Sequence, residues 1–268
     1  MRDQPGAPNR LPRHELLDEM GLSPQWRLRK ASRCDRDLAP SVAPQTPSAS
    51  ESLLSPAPLN ATGDDSNEKR RIERIASMDW LELTEDTARC QACGLCQQRR
   101  QAVLGVGDTS ADWLFIGEGP GAEEDARGEP FVGQAGKLLD AMLQAIGLRR
   151  GEDVYIANAV KCRPPRNRTP ENAEIAACHP YLLRQIVLLQ PRLIILLGRV
   201  AAQALLGEVD TLASLRGRTF SHRTSTGEIP MLVSYHPAYL LRNLTDKAKA
   251  WQDLCRAREL MRQAKNTP

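Results

Sequence analysis

Three of the seven cysteines in this 268-residue chain, Cys90, Cys93 and Cys96, lie three residues apart in the stretch CQACGLC. Cysteine thiolates at such spacing bind zinc or an iron–sulfur cluster. A ferredoxin-type run would continue with three residues and Cys-Pro, whereas QQRRQ follows Cys96. Taken alone, the stretch favours zinc. It leaves open which of the three thiols are ligands and where a fourth ligand lies.

A second group of residues suited to chemistry is the glycine-rich stretch GEGPGAEED, which follows an apolar run. It is not a dinucleotide fingerprint, because Gly117, Gly119 and Gly121 do not form G-x-G-x-x-G and acidic residues follow them. A Walker A motif is excluded because Gly-Lys-Ser/Thr does not occur. Glu118, directly after the apolar run, is the natural candidate for work with charge.

Basic residues and further polar residues follow two other apolar runs. The stretch NAVKCRPPRNRTP contains Asn158 and a proline-stiffened basic loop, and HPAYLLRN begins with His236. Such loops can contact nucleic-acid phosphates, and exposed leucines can act as wedges between bases. The candidates for these contacts are Lys161, Arg163, Arg166, Arg168, Tyr239, Leu240, Leu241 and Arg242.

The elements that position these residues alternate along the chain. Apolar runs predict strands at 111–118, 153–160, 192–198 and 230–237, and helical patterns separate them at 133–147, 171–190, 199–207 and 246–264. The second helix is expected to be capped at Thr169-Pro170-Glu171. Strands that are apolar on both faces predict an α/β fold with a parallel sheet covered on both sides. Ligands of such sheets bind at the carboxyl ends of the strands, where the polar stretches lie.

Composition divides the chain into two parts. Residues 1–68 are expected to be an N-terminal extension, mostly a disordered Pro/Ser/Ala-rich linker with a candidate short helix at 13–22, and residues 69–268 a catalytic domain. A net charge of +3 permits nucleic-acid binding without arguing for it. The chain has no apolar run long enough to span a membrane and no secretory signal, so a cytoplasmic location is expected.

The motifs together resemble one family. GEGPG, then PFVG-x-AG-x-LLD, NAVKCRPP and HPAYLLR are similar, in order and spacing, to the type 4, iron–sulfur members of the uracil-DNA glycosylase superfamily. The resemblance runs from about Cys90 to Arg242. It implies a three-layer α/β/α sandwich with a central four-stranded parallel sheet.

The resemblance also implies one [4Fe–4S] cluster and its ligands. By position in the motifs, the four thiolates would come from Cys90, Cys93, Cys162 and Cys178, which leaves Cys96 outside the set. Cys34 and Cys255 are then expected to be free thiols.

Further roles follow from the family's motifs. Asn158 is expected to read uracil by accepting a hydrogen bond from N3–H and donating one to O4, and Phe131 to stack on the base. His236 would stabilise negative charge on uracil O2, and Glu118 would stabilise the sugar cation and position water. Gly119 and Glu124 are expected in the substrate pocket, with Asp125 as a helper.

The expected activity is that of a monofunctional glycosylase. It would flip uracil out of single- or double-stranded DNA and hydrolyse its N-glycosidic bond, leaving an abasic site that starts base-excision repair. The alternative is a catalytically weak iron–sulfur relative that binds DNA. The protein is expected to be a monomer without membrane contact, and the N-terminal extension could tether a repair or replication partner.

Overall fold

The computed structural model describes residues 64–207, 211–225 and 227–266. The expected linker and the candidate helix at 13–22 lie outside these ranges. Every helix within them is too short or too polar to cross a bilayer. Nine α-helices are described there, namely α1 (Asp64–Ser77), α2 (Trp80–Arg89), α3 (Ala122–Arg127), α4 (Gln134–Ala145), α5 (Asn172–Leu189), α6 (Arg199–Leu206), α7 (Leu212–Leu215), α8 (Pro237–Arg242) and α9 (Lys247–Asn266).

The described residues form one six-stranded sheet. Its strands are β1 (Gly105–Gly107), β2 (Trp113–Gly117), β3 (Val154–Asn158), β4 (Leu193–Leu197), β5 (Thr219–Thr224) and β6 (Gly227–Ser234). They lie in the order β1-β3-β2-β4-β6-β5. The pairs β3–β2, β2–β4 and β4–β6 are parallel, so the predicted four-stranded parallel core is confirmed. The antiparallel edge strands β1 and β5 were not predicted.

Side chains alternate between the two faces of the sheet and bury both of them. Leu114 and Ile116 of β2 pack into one core with α1, α2, α5 and α6, whereas Trp113 and Phe115 pack into a second core with α4, α8 and α9. Burying an aliphatic or aromatic side chain of this size contributes about 1.5–3 kcal/mol. The two cores explain why the central strands are apolar at every position, and they give the predicted three layers.

The start of α5 differs in detail from the prediction. The N-cap is Glu171 and not Thr169, and a capping box joins Glu171 to Glu174. The Glu174 carboxylate accepts a hydrogen bond from the Glu171 N–H at 2.8 Å and two more from the Arg168 guanidinium. The loop that carries the basic residues is therefore tied to the first turn of α5.

The strand order creates a crevice at one edge of the sheet. Strands β3 and β4 lie on opposite sides of β2. The chain passes from β2 to β3 on one side, and later from β3 through α5 to β4 on the other side. Connections that diverge in this way leave an opening beyond the carboxyl ends of the strands, which is where ligands of open α/β sheets bind. Gly117, Asn158 and Gly198 all lie at or just after these ends.

Candidate active site

A groove of about 550 Å³ opens at the carboxyl edge of the sheet. We call it the site groove. Its lining comes from the loops after β2, β3, β4 and β6, and includes Glu118, Gly119, Pro164, Asn167, Arg168, Thr169, Gly198, Arg199, His236, Tyr239 and Arg242. The sheet thus brings together four segments that are far apart in the sequence.

Asn158 ends β3, where its backbone pairs with Gly117 of β2. Its side chain is 2% exposed and, like Phe131, is not part of the groove lining. Its Oδ1 atom is buried and accepts no hydrogen bond within the described part of the chain. A buried amide oxygen without a donor costs about 1–3 kcal/mol. The amide is therefore suited to a ligand that brings its own N–H group.

The Phe131 ring lies beside the same strand end. A Cβ atom built on Gly117 would lie 2.5 Å from both Asn158 Oδ1 and Phe131 Cζ, so only glycine leaves room for the two side chains. Phe131 itself has a φ of 56°. Arg150 donates to the carbonyl oxygens of Pro130 and Phe131, at 2.9 and 2.8 Å, and so holds this unfavourable backbone in place.

His236 joins the same group of side chains from the loop after β6. Its ring stacks on Phe131 with the centroids 5.4 Å apart. Its Nδ1 accepts the backbone N–H of Ala238 at 3.2 Å, so the proton of the neutral ring lies on Nε2. Burial, with a smaller contribution from the Arg242 charge, lowers the pKa of His236 to about 4. The ring is therefore a neutral hydrogen-bond donor at physiological pH.

Glu118 lies in the lining of the site groove, one residue after Gly117. Burial raises the pKa of its carboxyl above the ordinary value. Its carboxylate makes no hydrogen bond or ion pair with residues that the structure describes, in contrast to the other acidic residues of this loop. A half-buried carboxylate without a partner is available to a developing cation or to a water molecule.

Glu124 and Asp125 bind backbone instead. Glu124 accepts the N–H groups of Gly121, Val132 and Gly133 at 3.0–3.1 Å, which joins the glycine-rich loop to the segment after Phe131. Asp125 is 2% exposed and accepts the Arg100 N–H at 2.9 Å. Neither carboxylate is part of the groove lining.

Gly119, predicted in the substrate pocket, does line the site groove. A Cβ atom at this position would lie 2.7 Å from Cγ2 of Val160. The glycine therefore lets the loop after β2 approach the loop after β3.

The residues predicted to contact DNA have different environments. Arg166 and Arg242 are exposed, and Arg242 lines the site groove. Arg163 donates to Asn167 Oδ1 at 2.7 Å, and Arg168 makes two hydrogen bonds with Glu174 at 2.6 and 2.8 Å.

Two of the predicted DNA contacts are wrong, because both side chains are 1% exposed: Leu240 packs in a core, and Lys161 points into the protein. Leu241, the neighbour of Leu240, is 41% exposed and replaces it as the candidate wedge.

The thiols of Cys90, Cys93, Cys162 and Cys178 line one cavity between α2, α5 and the loop after β3, and Cys96 lines it too. Within the described ranges, no three His, Cys, Asp or Glu side chains converge where they could hold a single metal ion. Hydrogen-bond donors face the sulfurs: Arg99 donates to Cys162 Sγ at 2.9 Å and the Lys161 backbone N–H to Cys178 Sγ at 3.2 Å. Such donors stabilise thiolates.

Several contributors were missed by sequence reasoning. Arg199 lines the site groove and is exposed, but it was not singled out in GRVAAQ, the stretch that follows β4. Arg150 and Arg99 act through contacts with segments 19 and 63 residues away. No local signal in the sequence marks such contacts.

Comparison with known proteins points to the uracil-DNA glycosylases. The profile of the uracil DNA glycosylase superfamily matches residues 104–255. The type-4 uracil-DNA glycosylase of Pyrobaculum aerophilum is 42% identical over 181 residues, which cover 66% of this chain and 92% of the relative. That of Saccharolobus solfataricus is 43% identical over 190 residues, covering 69% and 88%. That of Thermotoga maritima is 43% identical over 168 residues, covering 62% and 85%.

Proposed function

The chain belongs to the type-4 uracil-DNA glycosylases of the uracil-DNA glycosylase superfamily, and we propose that it excises uracil from DNA with Asn158, Phe131, His236 and Glu118 as its site residues. The observation that carries this assignment of residues is the buried Asn158 Oδ1 without a donor. Uracil N3–H supplies the missing donor. The alternative of a catalytically weak DNA-binding relative is not favoured, since the type-4 relatives that the chain matches are named as glycosylases.

Asn158 selects the base. Its Oδ1 accepts from uracil N3–H, and its amide N–H donates to uracil O4, whereas cytosine presents the opposite pattern at both positions. Binding cytosine would leave two buried groups unpaired, which is a strong basis for rejection. Phe131, held by Arg150, provides the surface on which the flipped base stacks.

Glu118 and His236 divide the work of breaking the bond. As the bond between uracil and C1′ lengthens, the sugar gains positive charge and the base gains negative charge. The Glu118 carboxylate stabilises the cation and orients the water that attacks C1′. His236 Nε2–H donates to uracil O2 and stabilises the departing anion, and its neutrality spares the enzyme a buried cation beside the reaction.

One [4Fe–4S] cluster would be held by Cys90, Cys93, Cys162 and Cys178. The residues fit such a group, because four thiols line a shared cavity and the Arg99 guanidinium and the Lys161 backbone N–H donate to two of the sulfurs. When bound, the cluster would supply a structural crosslink and no step of the hydrolysis. It would join the segment before the sheet to α5 and to the loop that follows Asn158.

DNA would lie along the site groove. The exposed guanidinium groups of Arg199 and Arg242 in the groove lining, and the exposed Arg166 of the loop after β3, are available for phosphates, and Leu241 would fill the space that the flipped base leaves. We further propose that the enzyme acts as a monomer in the cytoplasm and that residues 1–68 bind a repair or replication partner.

The experiment uses the full chain and a labelled oligonucleotide with one uracil, in U·G, U·A and single-stranded form. Alkali then cleaves any abasic site. We expect strand breaks at the uracil position and none in the same oligonucleotide with thymine or cytosine there. Absence of breaks on all three uracil substrates would contradict the proposal.

A further inference from the structure

Lys161 is a buried cation to which the proposed function assigns no role. Its position in a basic run suggested contact with DNA phosphates, but its side chain is 1% exposed. Burying an ammonium group costs several kcal/mol unless opposite charge and hydrogen bonds compensate. The surroundings of the ammonium group must therefore repay this cost.

The ammonium group bonds directly to the backbone of Asn158. Lys161 Nζ donates to the Asn158 carbonyl oxygen at 2.8 Å and also to Gln185 Oε1. Gln185 is fully buried and is fixed in turn, because its Nε2 donates to the Leu104 carbonyl at 3.0 Å and to the Tyr155 hydroxyl at 3.2 Å. The carbonyl that Lys161 holds belongs to Asn158, the residue that the proposed function assigns to base reading.

The thiol cavity is where the opposite charge would lie. Lys161 makes no ion pair with a carboxylate in the described part of the chain, and Cys162 and Cys178 line the same cavity as Lys161. The Lys161 backbone N–H donates to Cys178 Sγ at 3.2 Å. An iron–sulfur cluster with four thiolate ligands carries a net negative charge, which is the compensation that the buried ammonium group requires.

We propose that Lys161 is a positioning residue for base reading: the anionic cluster stabilises its ammonium group, and that group fixes the Asn158 carbonyl and thereby the direction of the Asn158 amide. This inference rests on the proposed function. It gives the cluster a defined connection to the base-reading residue through one side chain. The cluster itself takes no part in the reaction.

The test compares wild type with Lys161→Met, which removes the charge and the donors at similar length, and with Gln185→Leu, which removes the second support of Nζ. Arg99→Gln is the matched control, because Arg99 also donates to a cluster ligand but contacts the Ala88 carbonyl and not Asn158. The readouts are cluster absorbance per protein, the midpoint potential of the cluster, single-turnover excision of uracil, and inhibition by free uracil.

For Lys161→Met we expect inhibition by free uracil to weaken by about tenfold or more, since a charged hydrogen bond contributes about 1.5–3 kcal/mol. Excision should slow, and the potential should fall because a neighbouring positive charge is lost. Gln185→Leu should weaken inhibition with little change in potential. Arg99→Gln should lower the potential while inhibition by uracil stays at the wild-type level.

Unchanged inhibition by uracil in Lys161→Met with its cluster retained would overturn the inference. If that variant loses the cluster, Gln185→Leu decides: wild-type inhibition there would overturn the inference equally. Equal weakening in Arg99→Gln would also count against it, because the effect would then be general to the cluster. A wild type that excises no uracil would instead refute the proposed function.

Discussion

His236 and Glu118 have pKa values shifted by burial in directions that suit different tasks. Burial lowers the pKa of the imidazole to about 4, so it stays a neutral donor for uracil O2 between pH 5 and 8. Burial raises the pKa of the Glu118 carboxyl, because its carboxylate is less solvated than one at the surface. This carboxylate can therefore interact strongly with a cation that develops beside it. Cleavage of a glycosidic bond needs both, a donor for the leaving group and a negative charge near C1′.

The first residue-scale prediction concerns pH. Activity should fall as the pH decreases through the raised pKa of Glu118, because protonation removes the charge that stabilises the sugar cation. His236 does not titrate in this range, since its pKa lies at about 4. Glu118→Gln should lose roughly 10²-fold or more in the single-turnover rate. The measurement is that rate between pH 5 and 8 for both proteins.

The remaining activity of Glu118→Gln should lack the acidic decline of the wild type. Stability measured at each pH serves as the control, because it separates titration in the site from unfolding. The same acidic decline in both proteins would assign it to another group.

Sequence reasoning reached the principal site residues through the family resemblance. Without the resemblance, the local sequence predicts that Phe131 is a core residue and that Asn158 lies in a turn after a strand. The structure shows why local reasoning stops there: their proximity depends on the parallel register of β2 and β3 and on a glycine at 117. Glu124 shows the converse, since this acidic residue of the site loop accepts three backbone N–H groups and has a structural role.

At the scale of elements, α8 decides which leucine can reach DNA. The run HPAYLLR offered Leu240 and Leu241 equally, because sequence alone does not fix the rotation of a six-residue helix. Pro237 and Leu240 of this helix are buried, and this orientation leaves Leu241 at the surface. A wedge that intercalates must be free of the core, so Leu241 is the candidate.

Alanine substitution of these two neighbours should have opposite effects. Leu240→Ala should lower the free energy of unfolding by about 2–5 kcal/mol, because it leaves a cavity in the core. Leu241→Ala should leave stability within about 0.5 kcal/mol of wild type and slow excision in double-stranded more than in single-stranded substrate. Denaturation and single-turnover assays measure the two effects. Faster or unchanged excision from duplex by Leu241→Ala would exclude it as a wedge.

Most elements were predictable because their signals are local. The four parallel strands are apolar on both faces, and four predicted helices begin and end within a few residues of α4, α5, α6 and α9. The edge strands were missed for physical reasons. β1 has only three residues, two of them glycine, and β5 has a single apolar residue, Phe220, and no fully buried one.

At the scale of the whole molecule, the thiol cavity joins three distant segments. Cys90 and Cys93 precede the sheet, Cys162 follows β3, and Cys178 lies within α5. Their spacing could not predict this convergence, since a zinc site fits the first stretch equally well. The family resemblance implied the four ligands. In the structure, these four cysteines and Cys96 line one cavity.

Serine substitutions should separate the ligands from the fifth thiol. Cys93→Ser should lose the brown colour that a bound [4Fe–4S] cluster gives, and it should melt at a lower temperature because a crosslink between distant segments is lost. Cys96→Ser is the matched control at the same spacing and should keep its colour and its melting temperature. Iron content per protein checks both. A colourless Cys96→Ser beside a brown Cys93→Ser would reverse the assignment.

The most direct test of the central claim, that Asn158 reads uracil, is the single-turnover excision rate of Asn158→Ala beside Asn172→Ala. Asn172 is the matched control, since its Oδ1 already accepts a hydrogen bond from Gln203, whereas Asn158 Oδ1 accepts none within the described residues. We predict that Asn158→Ala keeps its cluster colour and its fold but loses roughly 10²-fold or more of the rate, whereas Asn172→Ala excises like wild type. Wild-type excision by Asn158→Ala would contradict the claim.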